Sequence, residues 1–300
     1  MQILIFTEIS KKIGAGHYER SLRLKKKLDK KNKIFFYKNF NKKKIKKKLS
    51  LLKKPSIIYY DFKDHSKSVI KKSNDLFFIL MESNGLNRKN VININPLNLK
   101  KGRYYGPKWS CYPDDFFKNL KNLKNSKNQK IKNLLISQGA TDAHNNLAKI
   151  LQLIKPYIKK YNLKVHIKSS NFIKLPLKLR KDTNIKIVNR LKNVSSLLKK
   201  IHFAITSCGN FCHEINFFGI KTMFVTSEPR EILRAKKLQK LGFGNYINLT
   251  DKKKFNKELL KLINGKNFND RNLKKMKFFQ YNGMLNIVNL IMNIKKNVQK

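Results

Sequence analysis

Short runs rich in β-branched and aromatic residues recur along the chain, separated by stretches in which apolar residues return every three or four positions among Lys and Asn. That alternation of strand-like and helix-like periods marks an α/β chain with a mainly parallel sheet, because neighbouring parallel strands need a crossover between them. In the first half strands are expected at 3–7, 34–37, 56–60, 76–81 and 91–94. Residues 97–128 then lose periodicity, contain Gly102, Gly106, Pro107 and Pro113, and end in a polar Lys and Asn stretch that reads as a linker. A second alternating series follows, with strands at 134–137, 165–168, 185–188, 203–206, 222–225 and 246–248. Two domains of similar build are implied, 1–127 and 128–300. The last stretch, 271–297, carries Phe278, Phe279, Leu285, Ile287, Val288, Leu290 and Ile291 and is expected to form a helix that packs on one or both domains. In open α/β sheets ligands lie beyond the carboxyl ends of the strands, so the turns that follow the strands are where chemistry is sought.

Composition changes this picture little. The 300 residues are 41% hydrophobic and 11% aromatic, enough for one or two cores. The net charge of +52 points at first to nucleic acid or an anionic membrane. Of the basic residues, however, 60 are Lys and 9 Arg, spread along the whole chain with 36 Asn. Recognition of phosphates and bases concentrates Arg at chosen positions, so the charge reads as a solvated surface. No zinc finger, KH-type Gly-x-x-Gly or RNP signature is visible, and no nucleic-acid partner is expected; peripheral contact with an anionic membrane stays open. Cys111, Cys208 and Cys212 are too few for a disulfide framework and suit a reducing compartment. With no basic leader and no apolar run of spanning length, a cytoplasmic monomer is expected.

The most informative segment is Ile13-Gly14-Ala15-Gly16-His17-Tyr18-Glu19-Arg20, directly after the first strand and opening the first helix. Gly14 and Gly16 let backbone approach a ligand, and the helix start offers free amides to an anion. It is neither a dinucleotide fingerprint nor a Walker loop. His17 can serve as a base near neutral pH or as a helix-capping or core residue. Arg20 or a nearby Lys could hold a diphosphate. Asp61 and Asp64, at and beyond a strand end, could act as a second acid or base, position a sugar, or cap a loop. Gly139, Thr141 and Asp142 form a second turn, in which Asp142 is equally an N-cap. Glu214 follows the Gly209-Asn210 turn by about one helical turn, as a ligand or as an exposed acid favoured by the helix dipole. Cys208-x-x-x-Cys212-His213 suggests a metal but lacks a second pair of ligands, so neither metal nor cofactor is expected.

In order along the chain stand the Gly-x-Gly-His-x-x-Arg turn, the strand ending in Asp61, Ser137-Gln138-Gly139-Ala140-Thr141-Asp142 with Asn145 or Asn146 beyond it, and Thr206-Ser207-Cys208-Gly209-Asn210 followed by Glu214 and Gly219. Together they resemble the UDP-sugar hydrolases of pseudaminic acid biosynthesis, relatives of the glycosyltransferase that adds N-acetylglucosamine to the peptidoglycan lipid precursor. The resemblance covers about residues 1–250. It implies a GT-B-like fold of two Rossmann-like domains with a substrate cleft between them, metal-independent chemistry, and a UDP-linked diacetamido trideoxyhexose as substrate. It also implies His17 as the base, UDP on the second domain, Glu214 on the ribose hydroxyls, and substrate contacts from Gly14, Gly16, Arg20, Asp61, Gly139, Thr141, Asp142, Asn145, Ser207, Gly209 and Asn210. A glycosyltransferase of surface polysaccharide is the alternative, because the same base can act on an acceptor hydroxyl. The pattern departs from the family at Ala140, where a second Gly is usual, at Glu8, where an Asp is usual, in Cys111-Tyr112-Pro113-Asp114-Asp115-Phe116, and in 227–231, which lacks a Gln common near the nucleotide.

Overall fold

The structure is a computed structural model that describes residues 1–9, 16–29, 32–39, 41–52, 55–62, 70, 75–83, 88–120, 132–139, 142, 144–168, 182–188, 194–264 and 276–299. The chain divides into two compact units, one made of 1–112 and 281–300 and the other of 113–280.

The first unit holds a five-stranded sheet built from β1 (Gln2–Thr7), β2 (Ile34–Lys38), β3 (Ser56–Asp61), β4 (Leu76–Met81) and β5 (Val91–Ile94). Its order is β2-β1-β3-β4-β5 and every pairing is parallel. The strands are apolar on both faces because helices cover both. On one side α1 (Gly16–Leu28) contributes Leu24 and Leu28 to a core with Ile3, Ile5, Ile57 and Tyr59. On the other, α2 (Lys42–Ser50) inserts Ile45 and Leu49 beside Leu4, Phe6 and Ile58.

The second unit begins with α3 (Asp114–Leu120) and holds β6 (Lys132–Ser137), α4 (Asn146–Lys160), β7 (Leu163–Lys168), β8 (Ile185–Val188), α5 (Val194–Leu198), β9 (Phe203–Thr206), α6 (Asn210–Phe217), β10 (Lys221–Val225), α7 (Pro229–Lys240), β11 (Gly244–Ile247) and α8 (Lys252–Asn264). Its six parallel strands run β11-β10-β9-β6-β7-β8, the Rossmann order with β6 as the first strand. The α4 positions Leu147, Ile150, Leu151, Ile154 and Ile158 follow the helical repeat and close one face of the sheet.

The strand expectations agree with the structure to within a few residues, but the partition of the chain differs in two ways. The first stretch of the first unit ends at Tyr112 and not at 127, so residues 97–112 complete it. They carry a 3₁₀ turn, Pro107–Trp109, whose Trp109 lies in the first core, and Trp109 donates its indole N–H to the carbonyl of Arg103. The chain passes to the second unit at Pro113, where Phe116 of α3 packs edge-on against Phe217 and Phe218. The polar stretch read as a linker, from 121 to about 128, lies outside the described residues. The terminal helix, α9 (Gly283–Gln299), belongs to the first unit and not to the second. Met284, Ile287 and Ile291 bury against Trp109 and the first sheet, each a gain of about 1.5–3 kcal/mol relative to exposure. Gly283 permits the approach, since a Cβ there would stand 2.4 Å from the Trp109 carbonyl carbon. Among the described residues no helix is long and apolar enough to cross a membrane.

Candidate functional site

In the first sheet the order of strands reverses at β1, which lies between β2 and β3, and Thr7 pairs with Asp61 at the carboxyl ends of β1 and β3. Ligands of open α/β sheets gather at such a switch point. Helix α1 starts there, so His17 in its first turn and Arg20 three positions on share the face above Asp61.

His17 Nδ1 lies 2.7 Å from Asp61 Oδ1. An ionised carboxylate can only accept, which places a proton on Nδ1 and leaves the lone pair of the neutral ring on Nε2. Nε2 makes no hydrogen bond to any described residue. Arg20 Nη2, 3.3 Å from Nδ1, then stands as a second donor beside the ring and not as its partner. Asp61 is fully buried and saturated. Arg20 donates to it from Nε at 2.7 Å and also from Nη2, Ser21 Oγ donates at 3.2 Å, and the Tyr59 hydroxyl reaches it at 3.5 Å. Arg20 Nη2 also donates to Glu82 Oε1 at 2.9 Å. Burial would push the Asp61 carboxyl up, but the Arg20 charge and the hydrogen bonds from Arg20 and His17 hold it well below the usual carboxylate range. For His17, burial works against the charged form, and the hydrogen bond and charge of Asp61 outweigh it, so its pKa is raised above the ordinary 6.5. Tyr59 is held far above its usual value by burial and by Asp61, while burial pushes the Cys111 thiol up to about 12, so both are neutral.

Two residues expected to touch substrate lie inside this network. Arg20 and Asp61 point inward, with 6% and 0% of their side chains exposed, and they pair with each other. Asp61 also pairs with His17. Gly16 does face open space, with nothing within 4 Å of where a Cβ would stand. Gly14 and Asp64 lie outside the described residues.

In the second sheet the order reverses between β6 and β9, and the turns after these strands meet where Ser207 N donates to Ser137 O at 3.0 Å. Gly139 takes a left-handed conformation, φ +77°, and a Cβ on it would come no nearer than 3.9 Å to Ser207 Oγ. Asp142 acts as a cap. Its carboxylate accepts from the amides of Asn146 and Leu147 at 2.9 and 3.0 Å, occupying the start of α4, with Asn145 left-handed between them. Thr141 lies outside the described residues.

After β9, Gly209 is the N-cap of α6 with extended backbone and no side-chain cap, and Asn210 opens the helix exposed. Two residues of α7 clamp this turn: Glu231 accepts from Cys208 N at 3.2 Å and Thr226 Oγ1 at 2.8 Å, and Arg234 donates to the Cys208 carbonyl. Glu214 is half-buried on α6, near enough to Lys168 for its charge to offset part of the burial that lowers the Lys168 pKa. Lys168 Nζ sits 3.3 Å over the Phe211 ring.

Cys208 and Cys212 are buried free thiols, His213 packs edge-on to Phe279, and among the described residues no group of three or more His, Cys, Asp or Glu could hold a metal. Reading the sequence missed Glu82, Glu231 and Arg234. Glu82 had one usable signal, its place directly after a parallel strand in the same sheet as Asp61. The two α7 residues had none.

No protein-family model matches the chain. It is 27% identical over 302 residues to the uncharacterized protein MJ1062 of Methanocaldococcus jannaschii, a match that covers 85% of this chain and 60% of that protein. The chain therefore spans about three fifths of the length of this curated relative. Solved structures match along nearly the whole chain. Calicheamicin glycosyltransferase CalG4 gives a TM-score of 0.64 at 11% identity, covering 100% of both chains. Acinetobacter baumannii MurG gives 0.61 at 13%, covering 98% of this chain and 100% of that one. The M. jannaschii UDP-GlcNAc 2-epimerase, solved with UDP-GlcNAc and UDP, gives 0.60 at 12%, with 98% and 100% covered. At these identities the likeness concerns the fold, which is of the GT-B type with two Rossmann-like domains.

Proposed function

We propose that this protein is an enzyme acting on a nucleotide sugar, with UDP as the leaving group and His17 as the base. The observation that carries the proposal is the buried Asp61 holding His17 by Nδ1 at a sheet switch point, with Nε2 left unbonded among the described residues. In the reaction a hydroxyl oxygen bonds the anomeric carbon while its proton passes to Nε2. The bond from that carbon to the diphosphate oxygen breaks, and its electron pair leaves with UDP. A base so placed supplies roughly 10²–10⁴-fold. The diphosphate needs charge stabilisation more than a proton, and the start of α6, whose N-cap Gly209 makes no side-chain cap hydrogen bond, is the place proposed for it. Glu214, as in the families the sequence resembles, takes the ribose diol. Ser207 and Gly139 line the adjoining turns.

Two attacking groups fit this chemistry. The likeness to glycosyltransferases favours transfer to an acceptor hydroxyl. The second reading is hydrolysis, with water as the attacker and a UDP-linked diacetamido trideoxyhexose of pseudaminic acid biosynthesis as substrate; it rests on the ordered motifs from Gly14 to Gly219. Incubation with a panel of UDP-sugars, with and without EDTA and with and without candidate acceptors, separates them by mass spectrometry. Free sugar without acceptor identifies the hydrolase, and UDP released only when acceptor is present identifies the transferase. A folded protein that turns over no UDP-sugar in either condition refutes the proposal.

A further inference from the structure

Glu82 stands in a conformation that its residue type does not favour. Directly after β4 its φ is +58°; the other non-glycine residues with positive φ among the described residues are Asn39, Asp142, Asn145 and Asn162, types that tolerate the left-handed region. Glu lacks the short side chain that makes such a turn easy, and strain of this kind persists where surrounding interactions hold it. Here the bend brings the carboxylate to Arg20 Nη2 at 2.9 Å, the same nitrogen that lies 3.3 Å from His17 Nδ1 and donates to Asp61 Oδ1. Arg20 is thus shared by two carboxylates and stands beside the base.

Charge counting shows what the second carboxylate does. Asp61 and Arg20 already neutralise each other. Adding Glu82 leaves the cluster one negative charge in excess while His17 is neutral, and balanced once His17 is doubly protonated. From the described elements around the ring, the charged groups acting on it are Arg20 of α1, Asp61 of β3 and Glu82 after β4; Tyr59 and Cys111, which also belong to the cluster, are neutral. A neighbouring charge moves a pKa from on the order of 4–6 Å.

We propose that Glu82 is a positioning residue for the base: acting through Arg20, its charge tunes the proton affinity of His17 and makes it a stronger base than the Asp61 pair alone would. This deepens the reading of His17 as base, and it assigns a use to a carboxylate that touches no substrate in that scheme. The raised His17 pKa agrees with it, since the Glu82 charge acts in that direction alongside Asp61.

The test is the His17 imidazole titration, followed by ¹H–¹⁵N NMR on the full chain with His17→Gln to assign the signal. In Glu82→Gln, which keeps an oxygen for Arg20 and removes the charge, the titration is expected to fall by about half a pH unit or more, a roughly threefold change in proton affinity. Glu82→Asn, neutral and at ease in the left-handed region, is expected to give the same fall without backbone strain. An unchanged titration in either folded variant overturns the proposal, and so does failure of both to fold, which would make Glu82 a residue of stability alone. The readout needs no substrate. A shifted titration in a protein that turns over no UDP-sugar would sink the proposed activity and leave the tuning intact, whereas turnover with an unmoved titration would do the reverse.

Discussion

The two units place different kinds of group at equivalent points of their sheets. Where the order of the first sheet reverses, side chains do the work: His17, Arg20, Asp61 and Glu82 form a charged, largely buried network in which each charge has a partner. Where the order of the second reverses, backbone is presented: a left-handed Gly139, the Gly209 turn and a helix start without a side-chain cap, with Glu231 and Arg234 holding the turn from behind. A group that must gain and lose a proton needs neighbours that set its charge. A diphosphate needs only oriented donors, and amides supply these without a desolvated ion. The contrast teaches that one topology, repeated in a chain, can present a buried charge network at one switch point and backbone donors at the other.

The comparison breaks first at His17. In His17→Ala, kcat should fall by about 10²–10⁴-fold while the affinity for UDP measured by calorimetry holds. Retention of more than a tenth of wild-type turnover would remove His17 as the base. A base acts in its neutral form, so with His17 as the proposed base kcat/KM should rise with pH through a value above the ordinary histidine pKa of 6.5.

Next comes the network itself. Asp61→Ala breaks the buried ion pair with Arg20, leaving Arg20 to Glu82 and His17 without its carboxylate, and breaking a buried pair destabilises by up to about 3–5 kcal/mol; urea unfolding monitored at Trp109, which lies in the first core, reads it. A loss well under 1 kcal/mol would mean that water reaches the network. The pH dependence follows from the signs. The depressed Asp61 pKa contributes stability that is complete above the unfolded carboxylate value, about 3.9, and is lost as pH falls through the lower folded value. The raised His17 pKa contributes stability that is complete below its unfolded value and is lost as pH rises through the folded one.

In the second unit the effects are smaller. Glu214→Ala should weaken UDP by about 1.5–3 kcal/mol, the range for a hydrogen bond to a charged group, and should weaken dUDP much less. Equal losses for both nucleotides would assign Glu214 to the helix and not to a ribose. Smallest is Asp142→Ala, expected to cost about 0.5–2 kcal/mol of stability as a lost N-cap, with UDP affinity held. A fall in affinity without a fall in stability would return Asp142 to the ligand.

How much of this was legible beforehand differs from element to element. Strand positions were readable because burial on both faces writes a continuous apolar run, as in Ile3 to Phe6 or Phe203 to Ile205. The turns after β1, β6 and β9 were readable because close backbone approach and left-handed conformations favour glycine and its neighbours in short, local patterns. The roles inside those turns were not. That Arg20 and Asp61 would pair was not visible, because a charge next to a glycine turn looks the same in sequence whether it faces a ligand or a carboxylate 41 positions away. Likewise the apolar stripe of α9 told of a buried helix but not of the core it would cover, and nothing local in 97–112 announced that Trp109 would meet it.

The sequence by itself determined the elements, their alternation and the turns where chemistry gathers, since these depend on periods of a few residues. Only the tertiary structure decided that β1 and β3 lie side by side, bringing His17 to Asp61 and leaving Arg20 shared with Glu82. It likewise decided that the chain returns from 281 to complete its first unit. Those outcomes depend on strand order and on which buried charges can satisfy one another, and neither is written in any short stretch of the chain.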